Sequence, residues 1–384
     1  MNYARKVKKL LRVIGVHSPA CIHIIVSKYM IKRTRKHLMN SLDVYSVLKN
    51  EANKSVMIEK YSRKWPKQAR LLEQCIEAKG ITDKEMISDA SFSFFAYGLT
   101  PEEYLWQGGH IDIDNYVSNV DRECFRFSVN DILERGCSDK ADIYELLADL
   151  YRRDLICIRN KKNRKEYMDF IAKHPVYVEK PVNLSRGDGV RIIDTQIEGF
   201  DKEAEFKRIT SQDKTLIEEK IEQSDDMAEF NYSSVNTVRM AAFKTRKGII
   251  CPWAVLRTGR KGSYVDNAGA GGVLAVIDTA KGIVKTCGYD EFGNTYENHP
   301  DSSKRFEGFE LPEWENAVNL CIEASKRTPE SIKYLSWDLA HTDDGWCIVE
   351  VNQSGEFLWQ AERGCRNELR EIIKDMDQIV KFEI

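Results

Sequence analysis

Along this chain the spacing of apolar residues changes character near residue 130. Before that point it is helical or irregular. Val7, Leu10, Leu11 and Ile14 recur at helical spacing with cations between them, and Thr100-Pro101-Glu102-Glu103 reads as a helix start with threonine as its cap. Beyond it, Ser138 is placed to cap a helix carrying Ile143, Leu146, Leu147 and Leu150 on one face. Alternating or continuous apolar runs then predict strands from Val176 to Val182, Thr215 to Ile221, Asn236 to Phe243, Gly248 to Leu256 and Gly272 to Ile277. Two more helices are expected, one from Pro312 and one near Ala361 that repeats Leu369, Ile372, Ile373, Met376 and Ile379. With no internal repeat and no low-complexity linker, the expected class is α+β or α/β with mixed sheets.

The most informative pattern runs from Tyr334 to Asn352, two strand-like segments around Asp343-Asp344-Gly345. Leu335, Trp337, Leu339, Cys347, Val349 and Val351 occupy odd positions, and Ser336, Asp338, Glu350 and Asn352 even ones. A three-residue loop with glycine in the left-handed position puts all the apolar residues on one face, whereas a two-residue loop mixes the faces. In the register so chosen Asp338 opposes Glu350 and Ser336 opposes Asn352. Two carboxylates roughly 5 Å apart across strands repel. A divalent cation would cancel that repulsion, and magnesium favours one or two carboxylates with further hard oxygens, here the amide of Asn352.

Composition narrows the classes. The 384 residues, 42% hydrophobic and 31% charged, suit two or three globular units, and no apolar stretch is long enough to span a bilayer. The ten cysteines are scattered singly, and with no leader-like N-terminus they read as reduced thiols of a cytoplasmic protein. Net charge is −2, yet residues 1–70 hold 17 Lys and Arg against three acids. Such a segment suits peripheral contact with an anionic membrane, or an amphipathic helix packed on its own domain; aromatic residues are not interleaved as in a nucleic-acid module, so no nucleic-acid partner is expected.

Phosphate chemistry needs cations, backbone amides and metal carboxylates. Lys180 ends a predicted strand and is followed by Ser185-Arg-Gly-Asp-Gly189, whose glycines permit a tight turn; Lys140 opens a predicted helix. No G-x-x-x-x-G-K-[ST] sequence is present, which argues against a P-loop enzyme. Taken in order, Asp139-Lys140, Lys180-Pro181 with its glycine loop, Leu216-Ile-Glu-Glu-Lys-Ile221, Asp338 and Glu350-x-Asn352 resemble the ATP-grasp superfamily. More narrowly, Ser233-Ser-Val-Asn-Thr-Val-Arg239, Val265-Asp-Asn-Ala-Gly-Ala-Gly-Gly272, Trp337-Asp338 and Glu350-Val-Asn-Gln-Ser354 are similar to the sugar-transfer associated ATP-grasp proteins of polysaccharide gene clusters.

The resemblance implies an α+β fold that grips ATP between two subdomains, 131–223 and 224–384, behind a basic, mainly helical region 1–130. It implies that Lys140 and Lys180 bind phosphates and that a lid including Ser185, Gly187 and Gly189 closes on them. Glu218 and Ile221 would meet adenine through their backbone, and Asp225 a ribose hydroxyl. Asp338, Glu350 and Asn352 would hold Mg2+. Candidate catalytic residues are Arg239, against the γ-phosphate or an acyl phosphate, and Arg260 and Asn267, which with Arg257 would wall the acceptor site. Two features depart from the pattern. Many ATP-grasp ligases carry an arginine two residues before the first metal carboxylate, where this chain has Ser336, and the N-terminal region gives no sign of the small βαβ domain that often precedes the grasp. The expected reaction is ATP-dependent carboxylate–amine ligation through an acyl phosphate, on a sugar acid or amino acid that is free or lipid-linked. A kinase of a small metabolite and a non-catalytic ATP-binding protein at a membrane are the alternatives. The isolated histidines His110, His174 and His341 are assigned no role.

Overall fold

A computed structural model describes residues 19–38, 66–78, 80–97, 101–106, 115–134, 140–182, 189–212 and 214–383, with a few isolated positions between 55 and 99. The basic stretch Ala4–Ile14, the cap position Ser138, and Ser185 and Gly187 of the expected lid lie outside the described residues. Helices come first: α1 (Pro19–Leu38), α2 (Pro66–Ala78), α3 (Lys84–Tyr97), α4 (Pro101–Trp106), α5 (Asn119–Val129) and α6 (Lys140–Tyr151). Two sheets follow, joined by the chain between residues 220 and 236.

The smaller sheet is built from β1 (Leu155–Ile158), β2 (Val176–Pro181), β3 (Arg191–Asp194) and β4 (Thr215–Glu219), in the order β1-β4-β2-β3. Helices α7 (Arg164–Lys173) and α8 (Lys202–Thr210) pack their apolar sides on it, burying Tyr167, Phe170, Phe206 and Ile209 against Tyr177, Ile193 and Ile217. Alternation leaves Lys180 and Glu218 facing the other way, toward the second sheet.

The larger sheet contains β5 (Thr237–Thr245), β6 (Gly248–Thr258), β7 (Val273–Asp278), β8 (Ile283–Val284), β9 (Gly288–Tyr289), β10 (Thr295–Tyr296), β11 (Tyr334–Thr342) and β12 (Gly345–Asn352). All its ladders, like those of the smaller sheet, are antiparallel, so the α+β reading holds and, among the described residues, no mixed sheet occurs. Helix α9 (Trp314–Arg327) and α6 cover one face, against Met240, Leu256, Leu335, Trp337 and Leu339. Helices α5 and α10 (Arg366–Lys374) cover the other, against Phe243, Trp253, Val255 and Tyr334. Burial on both sides explains why these strands read as near-continuous apolar runs.

The helical region is stitched to this sheet through α5. Ser118 caps it, accepting from the Asp121 amide, and Phe125 packs in an aromatic cluster with Phe243, Tyr334 and Phe357. Just past its end, Asn130 accepts from the amides of Lys333 and Tyr334 at 2.9 and 2.8 Å and donates to the Tyr334 carbonyl at 2.8 Å. Ahead of it, Gln360 exchanges a reciprocal pair of hydrogen bonds with the backbone of Val117 at 2.8 and 3.0 Å. Buried backbone ends thus find partners across sequence separations above 200 residues.

Several elements shift from expectation. Leu146 is exposed, and α6 instead buries Ala141, Ile143, Leu147 and Tyr151. Although it falls inside 131–223, α6 packs on β12 and α9 of the larger sheet. The helix expected near Ala361 divides into a 3-10 turn, Leu358–Ala361, and α10. The β11–β12 hairpin closes through the two residues Asp343 and Asp344, with Thr342 paired to Gly345, whose φ is +92°. The anticipated mixing of faces is avoided by a β-bulge: Leu339 pairs with Ile348 but Asp338 with Glu350, leaving Val349 as the extra residue. Trp346 and Ile348 therefore join Trp337 and Leu339 in the core, and Cys347 opposes Ala340 on the other face.

Candidate active site

The polar end of the larger sheet is organised by register. Arg239 on β5 lies directly opposite Asp338 on β11, which lies directly opposite Glu350 on β12, and Ser336 faces Asn352. Arg239 donates from Nε and Nη2 to the two Asp338 oxygens, both at 2.8 Å, and Arg257 Nη1 adds a contact at 3.3 Å. Arg257 is held from behind by Asp266 at 2.6 Å, and Asp266 also accepts from the amide and hydroxyl of Thr237. Asp338 is 1% exposed. Burial alone pushes its carboxyl up, but the two guanidinium groups overcome this and hold it well below the usual carboxylate range. Despite their own burial, which lowers both, Arg239 is raised by Asp338 and Arg257 by Asp266 and then Asp338.

Cations of the chain itself also offset the opposed acids. Two arginines neutralise Asp338, and Lys140, at the first turn of α6, sits 3.3 Å from Glu350 Oε2. The donor set still fits a hard cation. The Asn352 side-chain nitrogen lies 3.4 Å from both Asp338 Oδ2 and Glu350 Oε1, and an amide turned over would offer its oxygen from the same place.

Facing this cluster, Glu218 of β4 accepts from Lys180 Nζ at 2.8 Å and from Arg153 at 2.7 and 3.2 Å. Burial raises the Glu218 carboxyl, and Lys180 and Arg153 more than reverse that, leaving it at about 2. Arg153 also reaches the larger sheet, donating to the carbonyls of Ile348 at 2.5 Å and Val349 at 3.3 Å. Consecutive carbonyls in a regular strand point to opposite sides. The bulge at Val349 lets both meet one guanidinium, so the irregularity that preserves the hairpin's faces also ties the two sheets together.

Between the sheets lies a cavity of about 350 Å³ whose lining includes Lys140, Lys180, Glu218, Ile221, Asp225, Asp338 and Glu350. Val190 also borders it, just after Gly189 with φ +73°. Lys180 is turned onto Glu218 rather than standing alone. A second cavity of about 490 Å³ adjoins the first, and the two share Arg257, Asp266 and Asn267. Arg239 opens into this second space, as do Glu103, Tyr116 and Arg122 of the helical region. Asn267 belongs to a tight turn whose carbonyl accepts from the amides of Ala270 and Gly272; a Cβ at Gly272 would lie 2.4 Å from the Asp266 carbonyl oxygen, so only glycine fits. The structure does not bring Arg260 to this junction: it is paired with Asp301 at 2.7 and 3.0 Å, outside the lining of both cavities.

Arg153, Arg122 and the restraining role of Asp266 were missed by the sequence reading. Arg153 carries no periodic signal, since its partners are a carboxylate 65 residues on and backbone carbonyls exposed by a bulge almost 200 residues away.

A family model described as sugar-transfer associated ATP-grasp matches residues 150–374. Curated proteins give no match. Among solved structures, the ATP-grasp ligase PsnB complexed with minimal precursor is 12% identical with a TM-score of 0.38, covering 62% of this chain and 59% of that one. The D-alanine–D-alanine ligase from Bacillus anthracis complexed with ATP is 14% identical with a TM-score of 0.40, covering 69% and 76%. VanG D-Ala:D-Ser ligase from Enterococcus faecalis is 12% identical with a TM-score of 0.40, covering 66% of each chain. The chain thus spans about three-fifths of the length of the PsnB structure it matches.

Proposed function

Because this chain belongs to the sugar-transfer associated ATP-grasp family, we propose that it is an ATP-dependent carboxylate–amine ligase acting on a sugar acid or amino acid. The observation that carries this reading is one cavity lined both by the cations Lys140 and Lys180 and by the carboxylates Asp338 and Glu350, with Asn352 beside them. A triphosphate laid in it would meet lysines from two elements and the backbone between Lys220 and Gln223, which also lines the space. Asp338, Glu350 and Asn352 are the residues to hold magnesium, which when bound neutralises charge on the β- and γ-phosphates.

In the first step a substrate carboxylate oxygen attacks the γ-phosphorus, the bond to the β-γ bridging oxygen breaks, and ADP leaves. In the second an amine attacks the acyl carbon and inorganic phosphate departs, the amine's proton passing to solvent. Arg257 stands where the cavities meet and Arg239 opens into the second, preorganised by Asp266 and Asp338, and both oppose the charge that develops on the transferring group. No side-chain nucleophile is required. In this reading the substrate is free or lipid-linked and its product serves surface polysaccharide synthesis. Contact of the basic N-terminal stretch with an anionic membrane belongs to the same proposal; among the described residues no helix is long and apolar enough to cross a membrane.

The test is magnesium-dependent ADP release with panels of carboxylates and amines, using Asp338→Asn as the blank. Release that needs both panels and vanishes in the blank is expected. Equal turnover in the blank would remove the assigned site, and release that ignores the amine would make the chain a kinase.

A further inference from the structure

The second cavity has a wall that the matched family residues do not supply. Glu103, Tyr116, Val117, Asn119 and Arg122 come from the helical region ahead of residue 150, and they face Arg239, Arg257 and Asn267 across the space. Arg122 projects from the first turn of α5, the helix anchored by Ser118 and by the packing of Phe125. Its guanidinium is only partly used. Nη1 donates to the carbonyl of Ser354, Nη2 lies 3.6 Å from Glu123, and the buried Nε has no partner.

Other unpartnered groups gather at the same turn. Among the described residues four buried side-chain polar atoms have no hydrogen bond; one is in Gln353, which opens this turn, and two, Arg122 Nε and Ser336 Oγ, are in side chains that meet Ser354 and Gly355. Gly355 is pressed against Ser336, where a Cβ would lie 2.2 Å from the serine Cβ. Side chains as buried as these normally find partners. Tyr334 and Asp338 share one face of β11, so Arg239, paired with Asp338, and α5, whose Phe125 packs on Tyr334, lie on the same side of that strand.

We propose that this cavity is the site of the carboxylate substrate, with the carboxylate held between Arg122 and Arg239 and the rest of a small hydroxylated or amino-bearing molecule lying against Tyr116, Phe357 and Leu358. The proposal rests on the ligase reading. Its charge pattern suits that class of molecule: the guanidinium groups of Arg122 and Arg239 on the lining attract a carboxylate, and the carboxylates of Glu103, Glu291 and Glu356 on the same lining attract ammonium or hydroxyl groups. A volume of about 490 Å³ accommodates a monosaccharide acid or an amino acid with room for an attacking amine. Arg122 would thus bring from the helical region a cation on the face of the sheet where Ser336 offers only a hydroxyl. The helical region then acts as the recognition element for the substrate.

The test is calorimetric binding to the full chain, without ATP, of glucuronate, galacturonate, L-glutamate and D-alanine, with glucose as the uncharged counterpart of glucuronate. At least one carboxylate should bind and glucose should not. Arg122→Gln should weaken that binding by about tenfold or more, the usual loss for a charge-assisted pair, while leaving ATP affinity within about twofold. Arg122→Lys should recover part of the loss, and it carries the test if the glutamine variant does not fold. Binding by none of the four, or binding equal in wild type and both variants, overturns the proposal. Because no turnover is read, absence of ADP release would sink the ligase reading without moving this result.

Discussion

Two clusters of buried arginine and carboxylate face each other across the cavity, and they are built differently. In the larger sheet, Arg239 and Asp338 oppose each other on β5 and β11, Arg257 reaches Asp338 from β6, and Asp266 holds Arg257 from the loop that follows β6. In the smaller sheet, Glu218 is held by Lys180 from its own sheet and by Arg153, which also donates to the backbone of β12. The first cluster is internal to one layer, so breaking it alters the charge presented to a ligand. The second spans two layers, so breaking it alters where the layers sit. Similar residues therefore separate chemistry from positioning.

The sharpest break in that contrast is Asp338→Asn. It keeps the shape, removes the charge of the carboxylate proposed to hold magnesium and leaves two guanidiniums facing each other. Turnover should fall about a thousandfold or more, several kcal/mol in the barrier, with ATP binding affected less than turnover. If both fell together, the internal cluster would be acting as scaffold.

Next in size is Arg153→Met. Removing one partner of a buried pair costs about 3–5 kcal/mol, and here the loss should be partly offset by Lys180. Denaturant unfolding should show this, and the spacing of the two sheets, read by small-angle scattering with and without ATP, should change. Unchanged scattering with the full stability loss would limit Arg153 to a structural pair.

A smaller effect follows from acid. Glu218 has its carboxyl lowered from 4.5 to about 2, so its pairing stabilises the fold fully above pH 4.5 and is lost as pH falls toward 2, on the order of 3 kcal/mol in all. Lys180→Met weakens the pairing, raises that carboxyl and should move the low-pH end of the stability curve upward. Coincident acid limbs for variant and wild type would mean that Arg153 alone sets the titration.

How far the sequence exposed this arrangement depends on what kind of signal each part leaves. The facing of Asp338 and Glu350 was legible because strand alternation is strict and the polar residues shared one parity. The route to it was not: nothing marks Val349 as a bulge, since a valine there reads as an ordinary strand residue. The strands were legible as runs, but their antiparallel order and the two covering layers of helix depend on contacts between distant segments. Lys140 and Lys180 stood out only through the resemblance, and their present partners, Glu350 and Glu218, could not be read from spacing. Arg260 was placed at the acceptor wall because it borders a glycine-rich loop, yet Asp301, 41 residues on, draws it away. Arg122 lay in a region without any motif, and only packing of α5 on the sheet brings it to the cavity.

The bulge offers the finest test of the contrast between clusters, because it serves both and can be removed from one alone. Deleting Val349 would let the two-residue turn run into a regular ladder. Asp338 would still pair with the glutamate that follows, and Trp346 and Ile348 would keep their core face, because the ladder on the turn side already has the matching parity. What the deletion takes away is the pair of consecutive carbonyls that receive Arg153. The internal cluster should therefore survive, with magnesium dependence of ADP release unchanged, while ATP affinity falls a few-fold, about 1 kcal/mol, as the sheets lose one tie. Loss of magnesium dependence in the deletion variant would show instead that the irregular strand is needed to aim Glu350, and that the two clusters are one device.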